Sequence, residues 1–245
     1  MKINVHAGHN PAGKVACGAV GIINESTENR RVKDEVISQL RELGHTVYDC
    51  TVDNGTGQAD VLNKIVLKCN AHEVDLDVSL HFNSGRNDYK GDGSVGGTEV
   101  FIYSKNSESL GAAKAVAQAI GELGFRMRTD GTSPAAGIKV NPELRVLNGT
   151  KAPAMLVECC FVDDKDDVQL YDCYKMASAI VYGITGQRVQ EVVETEKAGE
   201  GEETQTGNKD ALYRVQVGAY AVKANAEAMQ KKLQVAGFDT YLVKA

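Results

Sequence analysis

Ala154-Met155-Leu156-Val157-Glu158-Cys159-Cys160-Phe161 is an apolar run of eight residues broken by a single carboxylate. It reads as a buried strand, and a buried strand needs partners on both sides and cover above and below. Working outward, the partners and the cover alternate along the chain. Ile3 to Ala7, Thr46 to Cys50, Val74 to Phe82, Thr98 to Tyr103 and the short Leu144 to Leu147 read as further strands. Asn29 to Leu43 reads as a helix, with Val32, Val36, Leu40 and Leu43 on one face and Gly44 as its stop. Gln58 to Asn70 and Ser107 to Leu123 repeat that spacing, and Asp164 to Ile184 reads as one long closing helix. This alternation predicts an α/β fold: a mostly parallel sheet with helices on both faces.

The chain has 245 residues, 42% apolar and 24% charged, with 25 Gly and 4 Pro. That is enough to bury a sizeable core without disulfide staples. No window approaches the ~18 continuous apolar residues of a membrane helix, so no membrane partner is expected. The opening Met1-Lys2-Ile3-Asn4-Val5 enters a strand directly, without the pattern of a secretory leader. The expectation is synthesis in the cytoplasm. The six cysteines contain no C-x-x-C pair and are expected to be free thiols in a reducing compartment. Net charge is −6, and no segment carries the dense cationic footprint of a nucleic-acid binder.

Charge and composition divide the chain. Residues 1–186 carry 19 basic and 24 acidic groups. Residues 187–210 carry 3 and 7, are rich in Glu, Thr, Gly and Gln, and read as a flexible acidic linker. Residues 211–245 turn basic, with 5 cations and 2 anions. There Tyr213, Val215 and Val217 alternate as in a half-buried strand. Val222, Ala226, Met229, Leu233 and Ala236 follow as a helical stripe, and Thr240 to Val243 reads as a second strand. One β-α-β unit of this size lies below the ~40 residues that usually fold unaided.

The candidate chemistry lies at strand ends. His9 follows the first strand and His81 ends the strand Val74 to Phe82; in α/β sheets ligands bind outside the carboxyl ends of strands. Two imidazoles there can converge on one metal, and a carboxylate would complete a zinc set with an open position. Glu25 is the candidate carboxylate, with Glu28 its rival before the same helix. Glu158, inside an apolar strand, has the setting of a general base working beside a metal ion.

Four motifs stand in order: Val5-His6-Ala7-Gly8-His9, Gly21-Ile22-Ile23-Asn24-Glu25, Ser79-Leu80-His81-Phe82-Asn83 and Pro153-Ala154-Met155-Leu156-Val157-Glu158. Together they resemble the type-3 zinc N-acetylmuramoyl-L-alanine amidases, a family that includes autolysins and phage endolysins. The resemblance covers about the first three quarters of the chain. It implies a single twisted sheet flanked by helices, a zinc ion held by His9, Glu25 and His81, and Glu158 as the catalytic carboxylate. It further implies that Asn83 positions substrate. Leu144-Arg145-Val146-Leu147 is similar to the strand before the catalytic one, which puts Arg145 among the substrate-binding candidates. The substrate implied is the amide between N-acetylmuramic acid and L-alanine in peptidoglycan.

The sequence departs from the family after the first metal histidine, where Asn10-Pro11-Ala12-Gly13 stands, and after Glu158, where Cys159-Cys160-Phe161 stands. Tyr213-Arg214-Val215-Gln216-Val217-Gly218-Ala219-Tyr220 resembles the opening of a SPOR domain, a peptidoglycan-binding fold of two β-α-β halves. Only one half is visible, so the segment is expected to be truncated, completed by a second chain in a homodimer, or marginally folded. The competing functional classes are a wall-binding protein without catalysis and a zinc peptidase or deacetylase acting on the wall.

Overall fold

The computed structural model describes residues 1–189, 223–235, 238 and 240–243. The chain separates into two compact units, Met1–Val192 and Val193–Ala245.

In the first unit the elements run β1 (Lys2–Ala7), α1 (Glu25–Glu42), β2 (Thr46–Asp49), α2 (Gln58–Cys69), β3 (Leu76–Asn83), β4 (Glu99–Ile102), α3 (Leu110–Gly121), β5 (Ile138–Val140), α4 (Arg145–Gly149), β6 (Ala154–Phe161), α5 (Lys165–Leu170) and α6 (Cys173–Thr185). The six strands form one sheet in the order β2-β1-β3-β6-β4-β5. Every pairing is parallel except β4 with β6. The apolar run quoted above is β6, a central strand between β3 and β4. A central strand covered on both faces must be apolar at nearly every position, and this one is.

Alternation along the strands sorts the two faces. Val5, Val78, Leu80, Val100 and Val157 meet Val32, Val36 and Leu40 of α1, Val116 and Ile120 of α3, and Met176 and Ile180 of α6. The other face is covered by α2 and α4, where Val61, Ile65, Val146 and Leu147 pack with Leu156. Helices α3 and α6 approach backbone to backbone at Gly183. A Cβ there would lie 2.5 Å from the Val116 backbone, so the crossing requires glycine.

Three expectations need correction. Leu144 to Leu147 is not a strand: residues 145–149 form the helical turn α4, after the Asn141-Pro142-Glu143 turn. One turn buries Val146 and Leu147 against α2 while the sheet already has its neighbours in place. The closing helix is two helices. The chain is extended at Tyr171, and Asp172 caps a new start by accepting from the Lys175 amide at 2.9 Å. Helix α1 begins at Glu25 rather than Asn29, because Asn24 caps it through the Thr27 amide. That places Glu25 in the first helical turn.

In the second unit, Lys223–Val235 forms the expected helix, α7. Thr240 to Val243 is not assigned to a strand; the Thr240 carbonyl accepts from the Gln230 side chain at 3.0 Å. The expected strand at Tyr213 to Val217 lies outside the described residues. Among the described residues no helix is long and apolar enough to cross a membrane.

Candidate active site

The carboxyl ends of β1, β3 and β6 share one edge of the sheet, since the three strands are parallel neighbours. His6, Ser79, His81, Glu158 and Glu99 alternate with the α1-side core residues, so all five side chains belong to the opposite face. His81 pairs in register with Glu158, and Glu158 with Glu99, which makes a row across β3, β6 and β4. Just beyond the His81–Glu158 pair, β6 carries one residue more than β3. This bulge bends the strand directly after Glu158.

His9, Glu25 and His81 converge. Their potential ligand atoms all lie within 4.8 Å of one another. Glu25 Oε1 is 3.0 Å from His81 Nδ1 and 3.3 Å from His9 Nε2, and the two rings meet edge to face at 4.9 Å. The Phe82 amide donates to the same oxygen at 3.3 Å, and the Ala19 amide donates to Oε2 at 2.7 Å. Burial on its own would raise the Glu25 pKa. The hydrogen bonds from His81 and His9 outweigh it and hold the carboxyl well below its usual range. The first turn of α1 adds the positive end of a helix dipole.

The backbone around this cluster is committed to it. His9 has φ 64°, a left-handed conformation that costs a non-glycine residue free energy. It is held by Arg30, whose guanidinium donates to the His9 carbonyl at 2.9 Å while pairing with Asp53 at 2.7 Å. Asn29 donates to the Gly8 carbonyl at 3.0 Å. A Cβ on Gly8 would sit 1.9 Å from His81 Cε1, so the imidazole packs against bare backbone. His81 Nε2 is 3.0 Å from Ser79 Oγ, which is 3.4 Å from Nδ1 of the buried His6. Burial, and then repulsion from His81, lowers the His6 pKa to about 3, so this ring is neutral.

Glu158 is the opposite case. Its Oε2 is sealed from solvent without a hydrogen-bond partner among the described residues. Burial, followed by the charges of Glu25 and Glu99, pushes its pKa well above the usual carboxylate range. Glu99, next in the row, is fully satisfied: Lys139 at 2.6 Å, Arg128 at 2.8 Å and Asn83 at 2.7 Å. Arg128 also stacks over Phe161 at 4.7 Å.

The structure therefore brings His9, Glu25, His81 and Glu158 to one edge of the sheet, with Asn83 beside them on Glu99. Glu28 is occupied elsewhere, by Arg31 at 2.8 Å and the Tyr171 hydroxyl at 3.0 Å. Arg145 does not join the group. Its guanidinium bonds Asn63 of α2 at 3.2 Å and shares no hydrogen bond or ion pair with the cluster. Sequence reasoning missed Glu99, Arg128, Lys139 and Ser79. Glu99 carried the same signal as Glu158, a carboxylate within a strand. A second acidic group, Asp88, Asp164 and Asp166, accepts backbone amides of Gly91, Asp92, Gly93 and Asp167 and clasps the loop after β3.

Two imidazole nitrogens and a carboxylate oxygen, with a half-buried carboxylate beside them, are a donor set suited to a divalent metal and a hydrolytic water. A family model described as N-acetylmuramoyl-L-alanine amidase matches residues 3–186, and one described as SPOR domain matches residues 193–244. An uncharacterised protein of Clostridium perfringens (strain 13 / Type A) is 34% identical over 175 residues, 70% of this chain and 47% of its own length. The chain thus spans about half the length of that curated relative. Among solved structures, the catalytic domain of the CD27L endolysin targeting Clostridia Difficile is 24% identical, with a TM-score of 0.65 over 78% of this chain and 99% of that one. The catalytic domain of CwlV, an N-acetylmuramoyl-L-alanine amidase from Bacillus (Paenibacillus) polymyxa var. colistinus, is 26% identical. Its TM-score is 0.57 over 76% of this chain and 97% of that one.

Proposed function

The chain belongs to the N-acetylmuramoyl-L-alanine amidase family, and on that premise we propose a zinc-dependent hydrolase of the amide joining N-acetylmuramic acid to L-alanine in peptidoglycan. The observation that carries the reading is the convergence of His9, Glu25 and His81 within 4.8 Å, with Glu158 in register beside His81. His9, Glu25 and His81 would hold the ion. A zinc ion there polarises a carbonyl oxygen and makes water nucleophilic at neutral pH.

The remaining chemistry falls to the chain. Glu158 Oε2, which has no partner among the described residues, accepts the proton of the attacking water. Its raised pKa suits it to return that proton to the departing L-alanine nitrogen. Asn83, two residues past His81, orients substrate at the same edge. Arg145 stays a candidate substrate-binding residue outside this cluster, its guanidinium bonded to Asn63 of α2. The C-terminal segment matched by the SPOR model, residues 193–244, binds the wall and keeps the enzyme on its polymer. An endolysin or autolysin role follows from that substrate. Pairing of two chains through the C-terminal segment would show as twice the 26.3 kDa chain mass in light scattering.

The test is product analysis on purified peptidoglycan. New L-alanine amino termini, abolished by a chelator and restored by zinc, are expected. New internal amino termini would make the protein a peptidase, and free acetate a deacetylase.

A further inference from the structure

Behind His81 the structure holds a chain of groups that the hydrolysis itself does not use. His81 turns Nδ1 toward Glu25 and His9, and Nε2 toward Ser79 Oγ at 3.0 Å. Ser79 in turn reaches His6 Nδ1 at 3.4 Å. His6 and Ser79 are buried, and His81 is nearly so. The His81 ring packs against the bare Gly8 backbone, where a side chain would collide with it. A neutral imidazole offers one donor and one acceptor, and a hydroxyl offers one proton and accepts another. The direction of one hydrogen bond in this chain therefore sets the direction of the next.

We propose that Ser79 and His6 are positioning residues that fix the proton of His81 on Nε2 when the metal site is filled. This inference rests on reading His9, Glu25 and His81 as the metal set. In the metal-free protein, His81 Nδ1 donates to Glu25 Oε1, Ser79 donates to His81 Nε2, and His6 Nδ1 donates to Ser79 Oγ. On metal binding the chain reverses. His81 gives up its Nδ1 proton to solvent and takes the Ser79 proton on Nε2. Ser79 takes the Nδ1 proton of His6, and His6 gains a solvent proton on Nε2. The three residues hold three protons before and after, and the Nδ1 lone pair of His81 is freed. Serine meets this demand because its hydroxyl can donate in either direction. Alanine at residue 79 would leave the Nε2–H of His81 buried without an acceptor.

The test uses the full chain, stripped of metal and titrated with zinc against a competing chelator. Ser79→Ala is expected to lower zinc affinity about 10–100-fold, as does loss of a partner behind a metal-binding histidine elsewhere. Ser79→Thr, which keeps the hydroxyl, should restore most of it, and His6→Phe should weaken binding by removing the terminal acceptor. Imidazole 15N spectra of the wild type should show the His81 proton on Nδ1 without zinc and on Nε2 with it. That readout survives even where a variant fails to fold. Unchanged affinity in Ser79→Ala, or zinc-loaded His81 protonated on Nδ1, overturns the inference and leaves the metal site standing. A folded wild type that binds no zinc overturns both.

Discussion

Glu25 and Glu158 are two carboxylates at one edge of one sheet, and the chain treats them in opposite ways. Glu25 sits in the first turn of α1, where four donors converge on its oxygens, and it is held ionised. Glu158 sits mid-strand in β6, where Glu25 of α1 and Glu99 of β4 bring negative charge and no donor among the described residues reaches Oε2. Both are drawn out of water, Glu25 buried and Glu158 half-buried with its Oε2 sealed, so desolvation alone does not decide a carboxylate's role. The donors do. A carboxylate surrounded by donors is a fixed charge suited to hold a cation, and one without them is poised to exchange a proton.

The strongest way to break this contrast is Glu25→Gln. It removes the anionic ligand and leaves both imidazoles facing an amide. Zinc content should fall far below one per chain, and release of L-alanine amino termini should drop to background. The fold should suffer too. Stability drawn from a depressed carboxyl pKa is present above the unfolded value and lost as pH falls through the folded one. At neutral pH the metal-free variant should therefore lose about 1–3 kcal/mol, read from its denaturation midpoint. Full zinc occupancy in Glu25→Gln would remove Glu25 from the ligand set.

Glu158→Gln should invert the second half of that result. Turnover should fall about 10²–10⁴-fold with zinc retained, since only the proton acceptor is lost. Stability should rise. A group whose folded pKa lies above its unfolded one favours folding at low pH, and that advantage is lost as pH climbs between the two values. At neutral pH the metal-free wild type is therefore burdened by Glu158, and the amide is not. A higher melting temperature together with lost activity would mark Glu158 as a site where function opposes stability. A lower one would mean that its carboxylate has a partner in solution.

The contrast also explains what could be read from sequence. Glu158 was legible because its eight-residue strand is apolar enough to be recognised alone, so the single charge within it stood out. His9 and His81 were legible because strand ends in an α/β sheet are few. Glu25 could not be separated from Glu28 on residue type, because the two lie one turn apart on the buried side of α1. Only contacts with Ala19 and His81 for one, and Arg31 and Tyr171 for the other, tell them apart. The three-residue β5 and the single turn α4 are too short to show a period. Leu144 to Leu147 was misread as a strand for that reason, and the helical turn sets the Arg145 guanidinium against Asn63 of α2. The network at Glu99 joins residues 16 to 40 positions apart, which local pattern does not reveal.

Glu99→Gln gives the finest test, because it alters the neighbour of Glu158 and neither of the two carboxylates compared. Glu99 is one of the two negative charges that raise the Glu158 pKa, and it sits opposite Glu158 on the adjacent strand. Its removal takes away repulsion. It also leaves Lys139, which already opposes the rise, without its closest counter-ion. Both changes act in one direction and lower the Glu158 pKa. Since Glu158 must be ionised to take the water proton, the acid limb of kcat/KM should move to lower pH, with zinc content unchanged. The effect is smaller than either earlier one, because burial, the first cause of the shift, is untouched. An acid limb that stays in place would mean that burial and Glu25, without Glu99, set the acidity of Glu158. The pairing of Glu158 with Glu99 across β6 and β4 would then be a matter of packing rather than of chemistry.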